Sequence, residues 1–136
     1  MKPFPCKESW LPYRVSYGDT DAMGIVYYAN YLHLFERSRN EIIRNLGFSY
    51  LELEKRGFSL PVRDAQCRYR SPLRYDDLAM VRGGLSEWGR ASATFIYEIW
   101  NQDKTVLHAT GSTQHALVDD SNKPVKVPDW LRAVFA

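Results

Sequence analysis

At Gly57 the hydrophobic period of the chain changes, and that change limits the folds open to it. Upstream, Tyr31, Leu32, Phe35, Ile42, Ile43 and Leu46 recur at three- and four-residue steps, while His33, Glu36, Arg37, Asn40, Glu41 and Arg44 fill the other side. This spacing predicts one amphipathic helix of about four turns over 31–46. Asn30 stands where an N-cap belongs and Gly47 where a left-handed C-terminal residue belongs. A short second helix is expected from Tyr50 to Lys55. Downstream the period is two. Ala93, Phe95, Tyr97 and Ile99 share one face of a strand whose other face carries Ser92, Thr94, Glu98 and Trp100. Leu107, Ala109, Thr113 and Leu117 repeat the pattern around Gly111, a mid-strand glycine that implies close approach of another group to the backbone.

"SLPVRDAQCRYR" and "LAMVRGGLSEW" read as two further long strands and "PYRVSY" as a shorter one near the N-terminus, separated by the turn-rich "SPLRYDD", "WGR" and "NQDK". "VPDWLRAVF", with a proline and an aspartate at its start, predicts a final short helix. The order is strand, helix, then four consecutive strands joined by short links, which implies antiparallel pairing of neighbours. The economical fold is α+β, a curved antiparallel sheet against one long helix, with a β-barrel closed around the same helix as the alternative.

A chain of 136 residues builds one core and not two, so a single domain spanning 1–136 is expected. The 18 basic and 16 acidic residues are mixed along the chain, with no basic run to follow a nucleic-acid backbone. "MKPFPCKESW" lacks the apolar stretch of a signal peptide and no window has the roughly 18 apolar residues of a membrane span, which makes the cytoplasm the expected address. Cys6 and Cys67 do not form a disulfide framework, and Cys67, alternating with Ala65 and Tyr69, reads as a buried inert thiol.

The chemistry concentrates in Ser16 to Tyr31, "SYGDTDAMGIVYYANY". "DTDAMG" begins like a calcium loop, but Asn30 occupies the twelfth position from Asp19 where a glutamate is required. Zinc needs nitrogen or sulfur ligands, and His33, His108 and His115 fall on different elements, so no metal is expected and each imidazole reads as surface or packed. A polar turn whose aspartate caps backbone amides would satisfy the same residues. Two carboxylates running into the apolar "GIVYY" also bring part of that turn under hydrophobic cover. A carboxylate kept there, beside helix amides able to polarise a carbonyl, has the parts needed for acyl transfer.

The pattern Y-x-D-T-D-x-x-G-I-V-Y-Y-x-N-Y, continuing into "LHLFERSRNEIIRNLGFSY", resembles the 4-hydroxybenzoyl-CoA thioesterase and YbgC-like branch of the hotdog-fold acyl-CoA thioesterases. The likeness is close from Tyr17 to Tyr50 and looser through "LPVRDAQCRYRSPLRYDDLAMV" and beyond. It implies a hotdog, an antiparallel sheet wrapped around one long helix, assembled as a homodimer or dimer of dimers with the site at the subunit interface. It also implies hydrolysis of an acyl- or aryl-CoA thioester with no cofactor beyond the coenzyme A of the substrate. An acyl carrier protein as acyl donor, or a non-catalytic protein that binds acyl-CoA, are the alternatives.

Residue by residue, the resemblance assigns the catalytic carboxylate to Asp21, as nucleophile or as general base. It assigns the donor to the thioester carbonyl to the backbone N–H of Tyr28. Many YbgC-like relatives carry histidine where this chain has Tyr28, so no imidazole mechanism is expected at that position. Tyr17, Gly24, Val26 and Tyr27 are expected around the acyl group, with Tyr28, Tyr31 and Phe35 shaping an aromatic pocket or serving as core. Asp19 is expected to hold the loop by bonds to backbone amides. Coenzyme A carries phosphates, and Arg90 in the "WGR" turn is the first candidate to meet them, ahead of Arg68, Arg70 and Arg74.

Overall fold

The period-two segments form five strands in the computed structural model, which describes residues 4–47 and 49–135 and so leaves the first three residues of the N-terminal stretch outside the described residues. They are β1 (Ser9–Arg14), β2 (Val62–Tyr69), β3 (Leu78–Trp88), β4 (Ser92–Asn101) and β5 (Leu107–Ala116). All pairs are antiparallel, in the spatial order β1-β3-β4-β5-β2. Three α-helices accompany them, α1 (Asn30–Asn45), α2 (Tyr50–Lys55) and α3 (Asp129–Val134). Helix α1 touches β3 inside the sheet and both edge strands, β1 and β2, so the sheet bends around it as the hotdog resemblance implies. With β1 and β2 at opposite edges the sheet stays open, and the closed-barrel alternative falls.

The inward side of β4 is the alternating set expected: Ala93, Phe95, Tyr97 and Ile99 are all buried. Phe35 of α1 stacks on Tyr97 with ring centroids 4.4 Å apart and planes within 7°. The close approach predicted at Gly111 is made by the same ring. A Cβ there would collide with Phe35 and stand 2.7 Å from the Gln66 carbonyl oxygen of β2. The missing side chain of Gly111 therefore lets α1 sit down on the sheet. Gly47 ends α1 with φ +93°, its N–H donating to the Arg44 carbonyl.

Four expectations need correction. The helix stripe runs through Tyr31, Leu34, Phe35, Ser38, Arg39, Ile42 and Ile43, while Leu32 is 41% exposed. Leu32 shares the angular position of Arg39 and Ile43, but in the first turn of α1 that side looks past Val62 at the free edge of β2 and meets no sheet to cover it. Strand β1 occupies Ser9–Arg14 and not "PYRVSY", because Asp19 draws Ser16 and Tyr17 into a 3₁₀ turn over Tyr17–Asp19. Although β2 and β3 follow one another in the chain, they do not pair. Their link spends its residues crossing to the start of α1, where buried Leu73 accepts the Val26 N–H at 2.8 Å. Cys67 is half-buried, its thiol pushed up chiefly by desolvation, which keeps it a weak nucleophile.

Candidate active site

Asp21 sits in a tight turn between β1 and α1. Its N–H donates to the Ile25 carbonyl at 2.9 Å and its carbonyl accepts the Gly24 N–H at 3.0 Å. Gly24 has φ +78°, and a Cβ there would meet nothing within 4 Å, so what glycine supplies is the left-handed backbone. Bridges from Thr20 to Val26 and from Ile25 to Arg74 fasten the turn to itself and to the β2–β3 link.

Asp19 clamps the loop onto the helix. Its Oδ2 accepts the Ser16 N–H at 2.7 Å and the Tyr13 hydroxyl, and its carbonyl accepts the Tyr27 N–H and the Asn30 side-chain amide, both at 2.9 Å. Burial first, and then the Asp19 carboxylate, push the Tyr13 phenol up to about 12. Asn30 consequently is not the N-cap expected of it. It is the first residue of α1, and its amide is spent on Asp19.

The carboxyl of Asp21 is held on one side only. Oδ1 accepts the Met23 N–H at 2.9 Å, whereas Oδ2 accepts no hydrogen bond from the described residues. Asp21 lines a cleft of about 390 Å³ whose wall is mainly apolar and aromatic. Val26 and Tyr31 form its buried side. Tyr28 and Tyr69 form the open side, and the Tyr69 ring stands edge-on to Tyr31 with centroids 4.9 Å apart. Arg70 is the cation on its rim.

The start of α1 opens at the same place. The N–H groups of Asn30, Tyr31 and Leu32 turn back to the carbonyls of Tyr27, Tyr28 and Ala29. Those of Tyr28 and Ala29 donate to no acceptor among the described residues, and no side chain caps the helix. A half-buried carboxylate with a free oxygen therefore borders a cleft whose wall includes Tyr28, one of the two residues with uncapped amides at the helix start, a combination suited to a carbonyl that gains negative charge.

Of the residues singled out from sequence, Asp21, Val26, Tyr28, Tyr31 and Arg70 line one cleft. Tyr17 is 74% exposed and stacks on Tyr75 at 3.8 Å, beside the loop and not in the cleft wall. Tyr27 is exposed, and its ring tilts against Tyr28 at 4.7 Å. Phe35 belongs to the core. Arg90 lies in the β3–β4 turn, at the far end of β3 from the Asp21 loop. Over the length of that strand the separation is on the order of 30 Å. Sequence reasoning missed Tyr69, and with it Met23, Ile25 and Pro72. Tyr69 is the last residue of β2 and meets the start of α1 from 41 residues away in sequence, so no local pattern marked it.

The sequence profile of the thioesterase-like superfamily matches residues 15–135. The acyl-CoA thioesterase YbgC of Haemophilus influenzae is 37% identical over 127 residues, covering 92% of this chain and 92% of the relative. The DHNA-CoA thioesterase of Staphylococcus aureus superposes with a TM-score of 0.85 at 34% identity, covering 93% of this chain and 87% of that one. A 4-hydroxybenzoyl-CoA thioesterase solved with 4-hydroxybenzoyl-CoA superposes with a TM-score of 0.86 over 95% of this chain and 99% of that one. Its 17% identity makes that a likeness of fold alone.

Proposed function

The chain belongs to the thioesterase-like superfamily, and from that premise we propose that it is an acyl-CoA thioesterase, cleaving an acyl- or aryl-CoA to the free acid and coenzyme A. The observation that carries the proposal is the meeting of the Asp21 carboxylate, with one oxygen free, and the uncapped start of α1 in one cleft.

A thioester carbonyl is already electrophilic. Its hydrolysis needs an oxygen attacker, a donor for the oxyanion and partial exclusion of water more than it needs an activated serine. The Tyr28 N–H receives the carbonyl oxygen and holds the charge that forms there as the carbon becomes tetrahedral. Asp21 acts by one of two routes. As nucleophile its oxygen bonds to the carbonyl carbon, the C–S bond breaks, coenzyme A leaves as thiolate, and water then hydrolyses the mixed anhydride. As general base it takes a proton from a water that attacks the same carbon, and the thiolate leaves from that adduct. The three tyrosines around the cleft suit a flat or short acyl group, and Arg70 on the rim suits a phosphate of the carrier.

A second copy of the chain completes this reading. Among the described residues strand β2 pairs with β5 alone, and seven of its eight residues are exposed, which leaves a long open edge of the kind native proteins cover. Leu32 and Val62 border a groove of about 250 Å³ beside that edge. Pairing of two copies along β2 covers both, and Arg90 then serves a cleft on another copy and not the one on its own chain.

The test is thiol release across a panel of aryl-CoA and aliphatic acyl-CoA esters, together with the mass of the protein in solution. Turnover of one class above the others is expected from an oligomer. Tight binding of CoA esters without release of coenzyme A would instead make the chain a binding protein.

A further inference from the structure

The Tyr69 hydroxyl donates to the Tyr28 carbonyl oxygen at 2.7 Å, across 41 residues of sequence. That carbonyl belongs to the peptide joining Tyr28 to Ala29, whose N–H is one of the two uncapped amides at the helix start. In a trans peptide the C=O and N–H lie in one plane and point in opposite directions, and every described peptide is trans. Whatever fixes the Tyr28 carbonyl therefore fixes the direction of the Ala29 N–H. Two donors among the described residues reach that carbonyl. The Tyr31 N–H stands 3.4 Å away, beyond the usual range for an N–H···O bond, whereas the Tyr69 distance is the common one for O–H···O. The Tyr69 hydroxyl is thus the stronger tie.

Resting on the thioesterase reading, we propose that the Ala29 N–H is a second donor to the thioester oxyanion and that Tyr69 is its positioning residue, orienting and polarising the Tyr28–Ala29 peptide from the carbonyl side. A hydrogen bond accepted by a peptide carbonyl draws electron density away from the N–H of the same unit and strengthens it as a donor, by about 10–30%. Desolvation, and then the neighbouring Cys67, push the Tyr69 phenol up to about 12, so the hydroxyl keeps the proton it donates. The ring is braced edge-on between Tyr28 and Tyr31 and forms part of the cleft wall, which ties donor geometry and acyl pocket to one side chain.

The variant is Tyr69→Phe, which keeps the ring and removes the hydroxyl. At 47% exposure Tyr69 is not part of the core, so the variant folds. Losing an oxyanion donor outright costs about 100- to 1,000-fold in kcat. Here the donor stays but loosens, and kcat is expected to fall roughly ten-fold with KM within about two-fold. The second readout is the infrared carbonyl band of an isotope-labelled benzoyl-CoA bound to Asp21→Asn. Adding Tyr69→Phe should move that band back toward its position in water. Introducing 4-aminophenylalanine at position 69, which returns an N–H donor at similar reach, should restore both kcat and band.

An unchanged kcat, or a fallen kcat with an unmoved band, overturns the role of Tyr69. A failure of the broader reading looks different: Asp21→Asn would then hydrolyse thioesters as fast as wild type, whatever stands at residue 69.

Discussion

Acidification should destabilise this protein through one buried imidazole. His115 of β5 is fully buried, and its bonds form a directed chain with the side chains around it. The Arg39 guanidinium donates to the Tyr97 hydroxyl at 3.2 Å, Tyr97 donates to Thr113 Oγ1 at 2.7 Å, and Thr113 donates to His115 Nε2 at 2.8 Å. His115 Nδ1–H closes the chain on the Leu60 carbonyl at 2.8 Å. The Tyr97 and Thr113 hydroxyls each accept one bond and donate one, and Nε2 has no room for a proton unless Thr113 turns away. Burial first, opposed by the Leu60 carbonyl and reinforced by the Arg39 charge, lowers the imidazole from 6.5 to about 4.

The unfolded chain consequently binds a proton that the folded chain refuses over that window. Stability from this group is fully present above pH 6.5 and is lost as pH falls toward about 4. At about 1.4 kcal/mol per pH unit, the window amounts to about 3 kcal/mol. Urea unfolding at one fixed protein concentration, at several values between neutrality and pH 4, measures it against His115→Gln, which cannot titrate. The two stability curves should converge as the pH falls, since only wild type loses this contribution. Parallel curves would show that His115 is not held neutral by its surroundings, and the directed chain would be wrong.

Two further outcomes test other parts of the structure. Gly111→Ala drives a Cβ into the Phe35 ring and against the Gln66 carbonyl. It should lower stability by about 3 kcal/mol, the upper part of the usual cost of overpacking, and an unchanged urea midpoint would deny that Gly111 sets how closely α1 sits on the sheet. Tyr28→Phe should keep kcat within about three-fold of wild type, because the proposed donor is backbone. A loss as deep as that of Asp21→Asn would mean that the hydroxyl takes part.

The helix, the long strands and the short terminal helix were legible because each is written in local periodicity. Gly111 was legible too, since a glycine inside an alternating apolar face leaves a gap that a packed core must fill with a neighbouring group. What could not be read is what depends on crossing the sheet. Sequence order paired neighbours, whereas β2 lies across β5 from β4 and its link to β3 carries Leu73 and Arg74 to the Asp21 loop. The end of β2, where that link begins, puts Tyr69 and Arg70 on the cleft; Arg70 was one of several basic candidates, and nothing local marked Tyr69. Leu32 misled for the opposite reason. Its spacing fits an apolar stripe, but an apolar residue at the margin of a helix face faces either core or partner, and only the packing of Leu34 and Phe35 decides which.

The central claim is that the carboxylate of Asp21 acts on the thioester. Its most direct test is single-turnover thiol release by Asp21→Asn, using the CoA ester that wild type cleaves fastest, with the urea midpoint measured alongside. The expected result is a rate lowered by at least about a hundred-fold, within the range for loss of a positioned base, at unchanged stability. A rate within about ten-fold of wild type would leave the residue as a turn aspartate and contradict the mechanism.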